Sequence, residues 1–122
     1  MPVRAKDAVG RYGENVVAQQ LAARGWEVLD RNWRCRHGEL DIVAREPGGA
    51  LVFVEVKTRR GTAYGHPAEA VTRAKLTRLR RLAAAWLAEH AGVHAETIRI
   101  DVVAVLVPRS GAAQLTHVEA VG

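Results

Sequence analysis

Two short stretches of alternating polarity, residues 38–43 and 51–58, stand on either side of Pro47-Gly48-Gly49 and constrain this chain more than any other feature. Alternation with a period of two is the signature of a strand, because successive side chains leave it on opposite faces. Two such runs joined through a Gly-rich turn read as a hairpin, with strands at 39–45 and 51–58. Glu55 and Lys57 then share one face and Val54 and Val56 the other. Glu39 and Asp41 likewise share a face, against Leu40 and Ile42. If Pro47, Gly48 and Gly49 form a three-residue loop, Asp41 lies opposite Glu55 and Glu39 opposite Lys57, with facing Cβ atoms roughly 4.5–5.5 Å apart. A two-residue turn would break this sharing of faces.

The remaining elements follow from caps and periodicity. Asp7 is an N-cap candidate for a helix over about residues 8–24, and Gly25 is its stop. A strand is expected over 26–33 and a basic turn over 34–38. After a Gly-containing loop, Pro67 suits the first turn of a helix running to about His90, with an apolar stripe of Leu76, Leu79, Ala83, Trp86 and Leu87. Residues 97–107 form the most apolar strand, with 102–107 continuous, as in a parallel strand buried on both faces. A last strand is expected over 114–121. The order α-β-β-β-α-β predicts an α/β fold with a mixed sheet flanked by helices. Its 122 residues argue for a single domain with a core over about 8–107 and a C-terminal extension over 108–122.

Opposed carboxylates repel one another and destabilise a sheet unless a cation lies between them. Hard divalent ions take such oxygens as ligands, so Asp41 and Glu55 are metal-ligand candidates. Lys57 adds a point charge that can hold a phosphate oxygen or help activate water, and the three together suit phosphodiester hydrolysis. Val-Glu-Val-Lys is equally the pattern of a half-exposed amphipathic strand, and spacing alone does not separate the two. Glu14, at the edge of the apolar arc of its helix, is a further acidic candidate. Basic residues surround this centre: Arg34 and Arg36 before the acidic strand, Arg59 and Arg60 after Lys57, and Lys75, Arg78 and Arg81 on the second helix. Such runs usually mean a solvated face; next to metal-ligand candidates they favour phosphate binding.

Charge agrees with that partner. Lys and Arg number 18 against 13 Asp and Glu, a formal net charge of +5, which favours a polyanion. The single cysteine, Cys35, excludes an internal disulfide and fits a reducing compartment, the cytoplasm. No apolar run approaches the roughly 20 residues of a membrane span. The five histidines show no zinc-ligand spacing with Cys35 and read as surface or loop residues; no P-loop or dinucleotide glycine motif is present. Trp26, Trp33 and Tyr64 could stack on bases, although aromatics flanking strands are usually core.

Arg11-Tyr12-Gly13-Glu14, Asn32-Trp33-Arg34-Cys35-Arg36, Gly38-Glu39-Leu40-Asp41-Ile42-Val43, Phe53-Val54-Glu55-Val56-Lys57-Thr58-Arg59 and Gly65-His66-Pro67-Ala68-Glu69-Ala70-Val71 resemble the YraN family of small bacterial proteins, as does Asp101-Val102-Val103-Ala104-Val105. That family is similar to the PD-(D/E)XK nuclease superfamily, near the archaeal Holliday junction resolvases. The resemblance implies a restriction-endonuclease-like αβββαβ core, Asp41 and Glu55 as metal ligands, Lys57 as the catalytic lysine and Glu14 as an additional catalytic carboxylate. Leu40 stands where the superfamily motif has proline, and Leu76 where many relatives carry glutamine. The expected activity is magnesium-dependent cleavage of DNA, with manganese as an alternative metal, on branched or single-stranded substrates. A homodimer would suit a four-way junction, since two matched cuts need two sites. The alternatives are a non-catalytic nucleic-acid-binding module of the same fold, or an interaction module that pairs through its C-terminal strand.

Overall fold

The computed structural model describes residues 5–61 and 71–121, and the side chains from residue 8 onward. The elements are α1 (Ala5–Ala23), β1 (Glu27–Cys35), β2 (Gly38–Arg45), β3 (Leu51–Arg60), α2 (Arg73–Glu89), β4 (Ile98–Val107) and β5 (Gln114–Val118). The five strands form one sheet in the order β1-β2-β3-β4-β5. The β3–β4 pair is parallel and the other three are antiparallel, so the sheet is mixed and the predicted αβββαβ core with an extra strand is present. Among the described residues no helix is long and apolar enough to cross a membrane.

α1 ends as Gly25 predicts. Trp26 N–H donates to Leu21 O and Gly25 N–H to Ala22 O, both at 3.0 Å, with Gly25 at φ +86°. These are the two bonds of a Schellman cap, and Leu21 and Trp26 meet in the same apolar cluster beneath it. At the other end α1 already includes residue 7, so Asp7 lies inside the helix and does not cap it. The predicted opening of the second helix at Pro67 falls outside the described residues; α2 itself starts at Arg73. Thr72 is its N-cap, extended at φ −77° and ψ 165°, with its hydroxyl accepting from Lys75 N–H.

Two apolar layers hold the helices to the sheet. On one face Val17 and Leu21 of α1 pack with Ile42, Ala44, Val52, Val54, Val103 and Val105. On the other, Leu79, Leu82, Ala83 and Trp86 of α2 pack with Leu40, Val43, Leu51 and Phe53. Fully burying one such large side chain stabilises by about 2 kcal/mol. Trp26 and Trp33 belong to these layers, as core aromatics do. Trp86 also donates its Nε1–H to Asp30 of β1 at 2.9 Å, pinning the last turns of α2.

The hairpin loop is odd in length, as the glycines suggested. Glu46 N–H reaches Ala50 O at 3.0 Å and the ladder runs from Arg45↔Leu51 to Ile42↔Val54. One further feature bears on the site. In β2, Leu40 and Val43 face α2 whereas Ile42 and Ala44 face α1, so strict alternation fails between Leu40 and Ile42. Asn32 of β1 lies opposite that point, between the partners Arg31↔Ile42 and Trp33↔Leu40, and has φ +50°.

At the far side of the sheet Asp101 is fully buried. Arg99 grips it with two bonds at 2.9 and 3.0 Å, Ala120 N–H adds one at 3.0 Å, and His117 of β5 one at 2.8 Å. Burial pushes the Asp101 carboxyl up, but the bonds from His117, Arg99 and Ala120 outweigh it and hold the group below the usual carboxylate range. Arg24 lies 3.0 Å from His117 Nδ1; a guanidinium only donates, so Nδ1 accepts and Nε2 carries the proton given to Asp101. His117 is therefore a structural residue between β5, β4 and the end of α1, not the surface histidine its sequence context suggested.

Candidate metal and phosphate site

The site forms where β2 and β3 part. Their ladder ends at Ile42↔Val54, so the opposition of Asp41 to Glu55 and of Glu39 to Lys57 is not carried on by main-chain pairing. The Asp41 carboxylate instead lies in the gap and accepts Val56 N–H at 2.8 Å, supplying the acceptor that the diverging strand no longer provides. Glu55 of β3 lies beside it, close enough for the two carboxyls to share a hydrogen bond when one of them holds a proton. The Asp41 carboxyl is pushed up to about 8, first by burial, then by its bond to Glu55 and that residue's charge, with Glu14 adding a smaller push.

On the α1 side Asp41 meets two more carboxylates. Oxygen atoms of Glu14, Glu39 and Asp41 all lie within 4.8 Å of one another. Glu14 is carried there by α1, whose close approach to β3 depends on Gly13: a Cβ at that position would stand 1.9 Å from Thr58 Oγ1. Thr58 Oγ1 is itself buried with no hydrogen-bond partner among the described residues. Glu39 arrives from β2, held by Arg34 at 2.6 Å through Oε2 and by Asn32 Nδ2 at 3.2 Å through Oε1. Asn32 Nδ2 also donates to Glu14 Oε1. Asn tolerates a left-handed backbone at a cost of about 1 kcal/mol, and hydrogen bonds to charged groups contribute about 1.5–3 kcal/mol each, so the bonds win.

Glu55 and Lys57 alternate with Val54 and Val56, which pack on the α1 side, and so belong to the α2 side of β3. There Lys57 meets Lys75 from the first turn of α2. Contact with Lys57, and then burial, hold the Lys75 ammonium below the ordinary lysine range. The other basic candidates are more spread out. Arg34 is spent on Glu39 although its side chain is 80% exposed. Arg36 is exposed in the β1–β2 turn, and the stem of Arg78 passes beside Gly38 at the same turn. Arg81 is exposed on α2, and Arg59 and Arg60, at the exposed end of β3, each make contacts of their own.

Of the predicted set, Asp41 stands with Glu14 and Glu39 on the α1 side and meets Glu55 through the gap where the strands part. Lys57 lies on the α2 side with Lys75, so the single face expected to carry Asp41, Glu55 and Lys57 does not form. Sequence reasoning passed over Glu39 as more than a strand neighbour, although its spacing of two from Asp41 was the available signal. The position of Asn32 had no signal in periodicity. A carboxylate set of this kind suits a hard divalent cation: two oxygens on one magnesium ion are at most about 4.2 Å apart, so small side-chain shifts would close the set around it. A surface concavity lined by Arg45, Glu46, His94 and Thr97 is at the start of β3, whereas Glu55 and Lys57 lie further along it.

A model of the family described as "Uncharacterised protein family UPF0102" matches residues 13–105, which span Glu14, Asn32, the acidic strand, Glu55, Lys57 and Lys75. The chain belongs to UPF0102. UPF0102 proteins resemble it from end to end. That of Beutenbergia cavernae is 64% identical over 120 residues, covering 98% of this chain and 100% of the relative. That of Kineococcus radiotolerans is 58% identical over 119 residues, covering 98% and 97%. The Streptomyces coelicolor protein is 52% identical over 120 residues, covering 98% and 92%. This is the family to which the motifs around Asp41 and Glu55 pointed, and in this UPF0102 member those motifs meet in space.

Proposed function

We propose that this UPF0102 protein is a metal-dependent nuclease that hydrolyses phosphodiester bonds of DNA. One observation carries the reading: carboxylates from α1, β2 and β3 converge on Asp41, with the ammonium groups of Lys57 and Lys75 beside Glu55. Like charges gathered in a half-buried place repel, and a divalent cation would offset that repulsion. Magnesium or manganese is the ion this oxygen set suits. Bound there, it would supply an activated water and neutralise charge on a phosphate oxygen. Lys57 would hold a non-bridging phosphate oxygen and stabilise the charge that develops on it. Lys75, Arg36 and Arg78 would carry the flanking phosphates.

Labelled linear, single-stranded and four-way-junction DNA, incubated with pure protein and either magnesium or manganese, tests the reading. Wild type should cut at least one of them, and Asp41→Asn, Glu55→Gln and Lys57→Ala should each lose cleavage while still binding DNA. A wild type that binds DNA but cuts none, with all three variants binding as it does, would leave only a binding module.

A further inference from the structure

The geometry points to Asn32 as a positioning residue: its side-chain amide, set on a left-handed backbone, clamps Glu14 of α1 and Glu39 of β2 at the spacing at which they and Asp41 can share one divalent cation. The inference rests on the metal reading of the site given above.

A carboxamide nitrogen carries two hydrogens. In Asn32 they go to carboxylates from two different elements, Glu14 Oε1 on the helix and Glu39 Oε1 on the neighbouring strand. Arg34 takes the other oxygen of Glu39, so each donor has its own acceptor on that group. Glu14 and Glu39 carry like charge and come from α1 and β2, elements far apart along the chain. The amide brings them together without adding charge. A lysine or arginine in its place would neutralise the carboxylates and compete with a cation; an amide orders them and leaves their attraction for a cation intact.

The backbone of Asn32 is part of the device. Arg31 bonds Asn15 of α1 at 2.7 Å, so its side chain faces α1. Strict alternation would turn the next residue to the α2 side. With φ +50° at Asn32, two consecutive side chains of β1 face α1. Asn and Gly are the residues that adopt this conformation most readily. The same interruption of alternation occurs across the ladder between Leu40 and Ile42, which sets Asp41 on the α1 side beside the clamped pair.

The test is manganese titration of the full chain by calorimetry, without DNA, alongside thermal melts of the metal-free protein. Four proteins are compared: wild type, Asn32→Gly, Asn32→Ala and Asp41→Asn. Glycine keeps the left-handed backbone and removes the amide; alanine removes the amide and strains the backbone. Partners that orient metal ligands from outside the coordination sphere typically contribute about 10–100-fold in affinity. Both Asn32 variants should lose manganese affinity to that extent and by similar factors, with Asn32→Ala melting below Asn32→Gly. If Asn32 served only the backbone, Asn32→Gly would bind manganese as wild type does, and that result overturns the inference. A wild type that binds no manganese, or an Asp41→Asn protein that binds it equally well, overturns the metal reading and the role of Asn32 with it. Loss in Asp41→Asn beside full affinity in Asn32→Gly overturns the Asn32 role alone.

Discussion

Asp41 is the residue on which the site turns, and its protonation makes a specific pH dependence. In the unfolded chain its carboxyl ionises near 3.8; in the fold burial and Glu55 raise it to about 8. Between those values the folded chain keeps a proton that the unfolded chain releases. The stabilisation from this group is therefore fully present below the lower value and is lost as pH rises through the upper one. Asparagine resembles the protonated acid at every pH and can still accept from Val56 N–H. Metal-free Asp41→Asn should match wild type at about pH 4 and be more stable by about 2 kcal/mol near pH 9, a figure discounted for partial exposure, in urea titrations at the two pH values. An Asp41→Asn protein less stable than wild type at the higher pH would contradict the strained carboxylate. Magnesium affinity of the wild type should rise across the same interval, because the ion displaces the proton.

At the level of elements, the contact of α1 with β3 through Gly13 and Thr58 decides where Glu14 stands. Gly13→Ala would gain about 1 kcal/mol of helix propensity. It would also press a methyl group into Thr58, with the nearest atom at 1.9 Å and the Thr58 Cβ and Cγ2 both at 3.0 Å. Overpacking of this kind costs typically 1–3 kcal/mol, so the clash wins by about 1 kcal/mol and lifts α1. The expected result is a lower melting temperature and weaker metal binding, with partial recovery of both in Gly13→Ala/Thr58→Ala; a Gly13→Ala protein that melts at or above wild type would show that the helix settles without cost. The elements also show what a sequence can disclose. Pro47-Gly48-Gly49 fixed an odd loop and so the register of the hairpin, because local turn chemistry acts within a few residues. Gly25 announced its cap for the same reason. Asn32 did not announce its positive φ, since what rewards it is a helix glutamate and a strand glutamate that meet only after folding. The periodicity argument assumed unbroken alternation, and one left-handed residue defeats it. The buried Asp101–Arg99–His117 cluster was illegible on the same ground: each residue alone looks like a surface charge.

For the molecule as a whole, two further outcomes follow from charge. An excess of 18 basic over 13 acidic side chains should give DNA affinity that falls steeply with salt. Replacing both exposed Arg78 and Arg81 by alanine should weaken binding and lower the slope of log affinity against log salt by about 1–2; an unchanged slope would clear that face of α2. Acid stability should be governed in part by Asp101. Its carboxyl is held below 3.8, so its stabilisation is present above that value and is lost as pH falls through the folded-state one. Asp101→Asn should cost about 2 kcal/mol at neutral pH by taking from Arg99 its two-bonded buried partner, with Glu46 still 3.2 Å away, and less in acid, where wild type loses the same support; an equal cost at both would contradict the assignment. The parting of β2 from β3 has one last consequence. Glu55 and Lys57 ride on a strand paired to β4 from Leu51↔Ile98 to Arg60↔Val107, whereas Glu39 and Asp41 ride on a strand that leaves β3 after Ile42↔Val54. The two halves of the site are like the leaves of a book opened from a spine at Ile42. With β3 held along its length by β4 and the first residues of β2 held by β1, the opening between the leaves is spanned by a side chain, Asp41 to Val56, where main-chain pairing stops.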